Sequence, residues 1–133
     1  WCVGARAQSS SELKRPINLF EKNYDQDVKW RSYVNNQLKT KYKRLFIQLD
    51  GLLYLKAKNF SLLKEWRLKQ ERKLWSHKKN KKKLKIMSSE DVINFMQTYQ
   101  RITQQMFKDA LKGASIIMNL NSNHQIQSIK VKK

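Results

Sequence analysis

The sequence contains very few of the residues from which several common kinds of site are built. Its 133 residues include three glycines, one proline, one cysteine and two histidines. Gly4, Gly51 and Gly113 are too far apart to form a glycine-rich phosphate loop, so neither a P-loop nor a dinucleotide-binding fingerprint lies within these residues. The single Cys2 excludes an internal disulfide and, with only two histidines beside it, argues against a structural zinc site. No apolar run approaches the roughly 20 residues that span a bilayer. We therefore expect no membrane partner and a soluble, reducing, cytoplasmic setting.

The charge of the chain is strongly of one sign. Lysine and arginine total 29 against 10 acidic residues, which gives a net charge of +19. Residues 64–85 hold eleven positive and two negative side chains, so this window alone carries +9. Such an excess attracts polyanions, and a nucleic-acid partner is therefore possible. Because the excess is mostly lysine, accompanied by abundant asparagine, composition alone favours a solvated surface of the kind an AT-rich genome encodes.

The first half of the chain is expected to pass from a loop into a helix and a strand. Residues 1–28 are rich in serine, asparagine and aspartate, which predicts irregular structure. Apolar residues at spacings of three and four over 30–49 predict a helix with one apolar stripe, capped by Asp25 or Asp27. The run 52–55 predicts a strand that is buried on both faces, as in parallel sheets.

The second half is expected to add two helices and further strands. A helix is predicted over 60–75, with Asn59 or Ser61 as its cap. Residues 114–120 predict a second buried strand, and 124–131 an edge strand after a short turn. This alternation of helices and strands predicts an α/β fold.

The helix expected between these elements has the clearest boundaries. Ser88 and Asp91 have the spacing of a capping box in which aspartate replaces the usual glutamate. Gly113 lies where a residue of positive φ commonly ends a helix. The predicted inner face is made by six residues: Val92, Phe95, Met96, Tyr99, Ile102 and Met106.

Few single side chains suggest chemistry. Asp25 and Asp27 could form a metal or base pair, but helix capping is the simpler interpretation because no histidine or third carboxylate lies near them in sequence. Cys2 has no evident base beside it, and His77 lies in a lysine run and is expected to be solvated. His124 could face a ligand or belong to a turn. Four aromatic residues at helical spacing are expected in the core rather than as base-stacking platforms: Trp66, Trp75, Phe95 and Tyr99.

The basic window has one arrangement that suggests a function. Arg67, Lys69, Arg72 and Lys73 lie on a predicted helix that leads into a lysine-rich loop. A helix pair closed by a mobile basic loop can act as a lid that excludes water and neutralises a phosphoryl group in transfer. From composition alone, a solvated charged face explains the same residues.

The order of several short stretches resembles the C-terminal half of the glycerate-kinase-like family of P-loop small-molecule kinases. This family is related to plant and fungal glycerate kinase, and more distantly to phosphoribulokinase and uridine kinase. The matching stretches follow the family's motifs in sequence: Trp1–Arg6 after the "EGW" strand end, Pro16-Ile17-Asn18 with Glu21, Trp30-Arg31, Trp66–Glu71 as "WR-x-x-QE", Met87-Ser88 with the helix after it, and Ala114–Leu120 as the terminal strand. The resemblance covers nearly the whole chain and implies a P-loop kinase-type parallel sheet with flanking helices and a basic lid loop.

The resemblance also implies which residues would bind ligands. Arg67 and Gln70 would be catalytic lid residues near the transferred phosphate, and Trp1, Arg6 and Asn18 would lie toward the acceptor. ATP and Mg²⁺ are expected for the complete family enzyme, with a small hydroxy acid such as D-glycerate as substrate. The family's phosphate loop and metal ligands would precede Trp1, so we expect these residues to bind neither cofactor alone and to contain no metal site.

Some positions depart from the family pattern. Ile86 replaces the glycine expected before Met87, and Ser115 and Asn121 replace two expected aspartates.

We therefore expect one partial domain without its P-loop part. It would comprise an acceptor-side loop over 1–28, helix–strand–helix over 29–75, a lid loop over 76–87, and a helix with the terminal strands over 88–133. Such a chain would be inactive without an N-terminal half, which a separate chain could supply. The alternatives are a basic nucleic-acid-binding module and a decayed fragment without function.

Overall fold

The computed structural model describes residues 3–77 and 87–132. Trp1 and Cys2 lie outside the described residues, and so does most of the predicted lid loop, at 78–86. Within the described residues the chain is α/β, as predicted, and no described helix is both long and apolar enough to cross a membrane.

The first 28 residues contain two short helices, so the expectation of irregular structure was wrong. Helix α1 spans Ser10–Lys14 and helix α2 spans Leu19–Tyr24. Ser9 and Glu12 form a capping box at α1, and the side chain of Asn18 accepts a hydrogen bond from the backbone N–H of Glu21 at α2. These caps satisfy backbone donors that a helix of five or six residues could not otherwise pair.

The next helical segment has a π-helical turn in its middle. Helix α3 spans Lys29–Gln37, the π-turn spans Leu38–Tyr42, and helix α4 spans Lys43–Phe46. A π-turn rotates the residues after it relative to those before it, so a stripe drawn at 3.6 residues per turn does not stay on one face. On the predicted stripe Leu38 is buried, whereas Trp30 before the turn and Leu45 after it are more than half exposed. Asp25 provides the predicted cap, since its carboxylate accepts from the backbone N–H of Trp30 at 2.7 Å.

Strand β1 spans Leu53–Lys56 and is followed by helix α5, which spans Phe60–His77. The strand was predicted correctly, but its predicted burial on both faces was wrong because Leu53 and Leu55 are about half exposed. Asn59 provides the predicted cap of α5, accepting from the backbone N–H of Leu62 at 2.9 Å.

Helix α6, Ser89–Gly113, is the longest element, and its start agrees with the prediction. Ser88 and Asp91 form the expected capping box. Gly113 does not have the positive φ that was expected, because it is the last helical residue and the chain leaves the helix through Ala114 in extended conformation. On the predicted inner face, Val92 and Met96 are buried, whereas Phe95 is 47% exposed.

The sheet has three strands in the order β1-β2-β3, with β2 at Ile116–Leu120 and β3 at Ile126–Val131. Strand β1 is parallel to β2, since the chain returns to the same end of the sheet through α5 and α6. Strand β3 follows a short turn and is antiparallel to β2, so the sheet is mixed rather than all parallel. The predicted edge strand is confirmed. The core joins one face of this sheet to α6 through Met106, Ala110 and the partly buried Tyr54.

Candidate functional site

A buried ion pair organises the segment before α3. Two nitrogens of the Arg101 guanidinium on α6 donate to the Glu21 carboxylate, Nε to Oε1 at 2.7 Å and Nη2 to Oε2 at 2.6 Å. The same guanidinium donates to the carbonyls of Glu12 and Arg15 at 3.1 and 2.7 Å, and to Oε1 of Gln8 at 3.2 Å. One arginine therefore fixes α1, α2 and the extended segment before them against α6.

A second buried ion pair ties the same segment to α3. Nη1 of Arg31 lies 3.1 Å from Oδ2 of Asp25, and both side chains are almost fully buried. The guanidinium also donates to the carbonyls of Asp25 at 2.7 Å and Leu13 at 2.6 Å. The Asp25 carboxylate binds Arg31 and the backbone N–H groups at the start of α3. Asp25 therefore has the capping role that the sequence indicated.

These two ion pairs border a cavity of about 590 Å³ between α3, the π-turn and α6. This volume is within the usual range for small-molecule sites. The cavity combines apolar walls with several polar and charged side chains, among them Gln8, Asn35, Arg101 and Gln105. Asn35 is held in place by its side chain, which accepts from the Gln8 backbone N–H at 2.7 Å and donates to the Gln8 carbonyl at 3.0 Å. The main apolar walls are formed by six residues: Phe20, Trp30, Tyr33, Leu45, Tyr99 and Ile102.

Two of the predicted acceptor-side residues lie close to this cavity or to its supports. Arg6 is exposed, lines the cavity, and is anchored through its backbone N–H to Oδ2 of Asp109 at 2.9 Å. The side chain of Asn18 donates to the Gln97 carbonyl at 2.9 Å and to Oε1 of Gln100 at 3.1 Å, in addition to capping α2. These hydrogen bonds hold Asn18 between α2 and α6.

The two predicted catalytic residues lie together on α5. Nη1 of Arg67 donates to Oε1 of Gln70 at 3.2 Å, and Nη2 lies 2.5 Å from Oε1 of the buried Glu71. Burial raises the pKa of the Tyr99 hydroxyl, and the charge of Arg67 lowers it by a smaller amount. Arg6 lines the cavity, whereas Arg67 and Gln70 are not among its lining residues and Trp1 lies outside the described residues.

The turn between β2 and β3 holds the remaining candidates. His124 stacks on Trp66 with ring centroids 4.0 Å apart, and Nε1 of Trp66 donates to the carbonyl of Ser122 at 2.9 Å. Of the aromatic residues expected in the core, Trp75 and Phe95 are instead 43% and 47% exposed. Within residues 3–77 and 87–132, no group of three or more His, Cys, Asp or Glu side chains could hold a metal ion.

Sequence reasoning missed Arg101, whose side chain makes five hydrogen bonds beside the cavity. Its signal is a polar stripe on α6 at intervals of four residues, namely Gln97, Arg101, Gln105 and Asp109. These side chains bind parts of the segment 6–21 or the polar groups of the cavity. A polar stripe beside an apolar one on a long helix is thus a signal for a buried hydrogen-bond network, and not only for a side of the helix that faces solvent.

No protein-family model matches the sequence, and neither does any curated protein. Among solved structures, the chain is similar to D-glycerate 3-kinase from Cryptococcus neoformans var. grubii, with a TM-score of 0.72 and 18% sequence identity. The alignment covers 99% of this chain and 48% of that kinase, so the chain spans about half the length of the solved relative. At this level of identity the likeness establishes the fold, which is that of part of a glycerate-kinase-like protein.

Proposed function

We propose that these residues form the C-terminal part of an ATP-dependent kinase that phosphorylates a small hydroxy acid such as D-glycerate. The observation that carries the proposal is the fold shared with a D-glycerate 3-kinase along 99% of the chain. The family motifs found in order along the sequence support it independently. Phosphorylation would require a P-loop-bearing N-terminal half, because these residues contain no closely spaced glycines.

In this proposal the cavity between α3 and α6 receives the acceptor. Arg6 and Lys41 line it and carry positive charge that suits the carboxylate of a hydroxy acid. Arg101 cannot take this role, because Glu21 and two backbone carbonyls already occupy its donors. Asn18 would act mainly by holding α2 against α6, and so by shaping the cavity.

Arg67 is the residue we assign to the phosphoryl group. Its ion pair with Glu71 and its hydrogen bond to Gln70 hold the guanidinium in one orientation on α5. A preoriented guanidinium stabilises the charge that spreads over phosphoryl oxygens during transfer. The resemblance puts the phosphate loop and the metal ligands before Trp1, so ATP and Mg²⁺ would be bound chiefly by the N-terminal half.

The first experiment is to read the coding sequence upstream of the Trp1 codon. We expect a strand followed by G-x-x-x-x-G-K-[ST]. The encoded polypeptide and these 133 residues are then assayed separately and together with radiolabelled ATP, Mg²⁺ and D-glycerate. Phosphoglycerate should form only when both are present. Phosphorylation by these residues alone, or no phosphoglycerate when both polypeptides are present, would contradict the proposal.

The second experiment tests the role of Arg67 in that combined assay. Arg67→Ala should lower kcat about 100-fold or more, the usual loss when one donor to a transition-state charge is removed. Arg67→Lys should retain part of the activity because it retains the charge. Arg44→Ala is the matched control, since Arg44 is exposed on α4 and is not among the residues that line the cavity. Equal activity of Arg67→Ala and Arg44→Ala would remove Arg67 from the mechanism.

A further inference from the structure

One face of the three-stranded sheet is made of apolar side chains in two rows. In the first row Leu53 pairs with Ile116, which pairs with Val131. Directly opposite residues in neighbouring strands share a face of the sheet, and so do residues two apart in one strand. The second row lies on the same face and consists of Leu55, Met118 and Ile129. We call these six residues the open face.

The open face is exposed, in contrast to the opposite face of the same strands. On the outer strands, Leu53, Leu55, Ile129 and Val131 are 49%, 56%, 55% and 69% exposed. On the opposite face Ile117 is 4% exposed, and Tyr54 packs against the helical core. Contiguous exposed apolar patches mark interaction sites more often than isolated apolar residues do.

Strand β1 also has a free edge. The carbonyl of Leu52 accepts from the backbone N–H groups of Ser115 and Ile116, so the backbone of residue 52 faces β2. Backbone groups alternate in direction along a strand, and those of Leu53 and Leu55 therefore face away from β2. In the described sheet β1 has no neighbour on that side. An edge of this kind pairs readily with a strand from another segment.

We propose that the open face and the free edge of β1 are the docking surface for the P-loop-bearing half of the kinase. That half would add a strand to β1 and lay an apolar helix face across the two rows. The inference rests on the proposed function and names the surface through which the two halves assemble.

Three observations favour this occupant over a second copy of the chain. A parallel pair of strands is typical of sheets that have helices on both faces, and here one face is bare in the described part of the chain. The solved relative is about twice as long as this chain, so a segment of similar size accompanies the same fold there. Two copies that each carry a net charge of +19 would repel one another.

The test measures binding of the polypeptide encoded upstream of the Trp1 codon to the 133-residue chain. Leu55→Lys and Ile129→Lys place a charge on the open face at exposed positions, so both variants should fold, as circular dichroism would verify. Leu19→Lys is the matched control, because Leu19 is 65% exposed on α2, away from the sheet. Each open-face variant should weaken binding about ten-fold or more, and the control should leave it unchanged. Hydrogen exchange at the amides of Leu53 and Leu55 should slow when the partner binds.

Unchanged binding by both open-face variants would overturn the docking proposal, as would a homodimer that dissociates in Leu55→Lys and excludes the upstream polypeptide. The two proposals fail in different ways. A complex that is sensitive to Leu55→Lys but transfers no phosphate would leave the docking surface intact and refute the kinase function. Phosphoryl transfer that is insensitive to both variants would refute the docking surface and leave the kinase function intact.

Discussion

The layer of helices around α6, called the helical layer below, differs from the three-stranded sheet. The difference lies in how fully the polar groups of each are hydrogen-bonded and the apolar side chains of each are covered. In the part of the chain that the structure describes, every buried side-chain nitrogen and oxygen has a hydrogen-bond partner, and several of these hydrogen bonds join α6 to the segment before α3. The sheet carries two rows of apolar side chains without a covering layer among the described residues, and one strand with a free edge. The helical layer is therefore satisfied by contacts within the chain, whereas among the described residues one face of the sheet has no covering layer and β1 has no neighbour on the side away from β2.

The largest effect should come from breaking the central contact of the helical layer. Glu21→Ala removes the partner of Arg101 and leaves a guanidinium buried without its counter-charge. Breaking a buried ion pair in this way costs about 3–5 kcal/mol, which could unfold a small domain. The free energy of unfolding is measured by urea denaturation.

The control for this variant is an ion pair on the surface. Asp27 lies 2.8 Å from Nζ of Lys29, and both side chains are largely exposed. Asp27→Ala should leave the urea midpoint almost unchanged. If Glu21→Ala and Asp27→Ala had similar midpoints, the helical layer would not depend on Arg101.

The next effect contrasts the two faces of the sheet. Ile117→Ala removes a buried side chain from the face that packs on the helices and should cost about 3 kcal/mol. Leu55→Ala removes a half-exposed side chain from the open face and should cost less than about 1 kcal/mol. Similar losses from the two variants would mean that the open face is covered in the isolated chain.

The elements that were predicted correctly are those whose signals are local. The capping box of Ser88 and Asp91, the caps at Asp25 and Asn59, and the turn before β3 depend on residues a few positions apart. Each cap involves hydrogen bonds that short-range spacing specifies. The α/β class also followed from the alternation of helices and strands.

The errors concern features that depend on distant residues. The exposed face of β1 could not be deduced, because an apolar run looks the same whether or not a second layer covers it. The role of Arg101 depends on Glu21, which lies 80 residues away in sequence. The stripe over 30–49 failed because a π-turn has no clear sequence signature. The local caps were therefore predictable from the sequence and the network around Arg101 was not, whereas the roles of Arg67 and Arg6 stay predictions.

A smaller effect should follow from removing the cap of α6. Ser88→Ala deletes the side-chain acceptor for the backbone N–H of Asp91 and should cost about 1 kcal/mol. Hydrogen bonds from Ser88 hold the pKa of the Asp91 carboxyl below its ordinary value of 3.8. A lowered pKa in the folded state means that the carboxylate stabilises the fold above about pH 4, and that this contribution is lost as the pH falls through the folded pKa.

The pH dependence can be measured as the difference in melting temperature between the unmodified chain and Asp91→Ala. The difference should be constant from about pH 7 to about pH 5 and should shrink below about pH 4. Asp27→Ala cannot serve as the control here, because a hydrogen bond from Lys29 also lowers the pKa of Asp27. Glu90→Ala is the better control, since Glu90 is exposed in the same turn. A difference that grows on acidification would contradict the capping-box interpretation.

The smallest effect concerns Gly113, which joins the helical layer to the sheet. Its φ is not in the left-handed region, and a Cβ added there would meet no atom within 4 Å. Alanine restricts the unfolded chain more than glycine does, so Gly113→Ala should stabilise the protein by about 0.4–1 kcal/mol. Gly4→Ala is the contrasting variant, because Gly4 has a φ of 84° and its Cβ would lie 2.9 Å from Cδ2 of Leu52. Urea denaturation measures the change in the free energy of unfolding for each variant. Opposite signs of this change would show that the link from α6 to β2 is an ordinary helix end, whereas a loss of stability in Gly113→Ala would mean that this junction is strained.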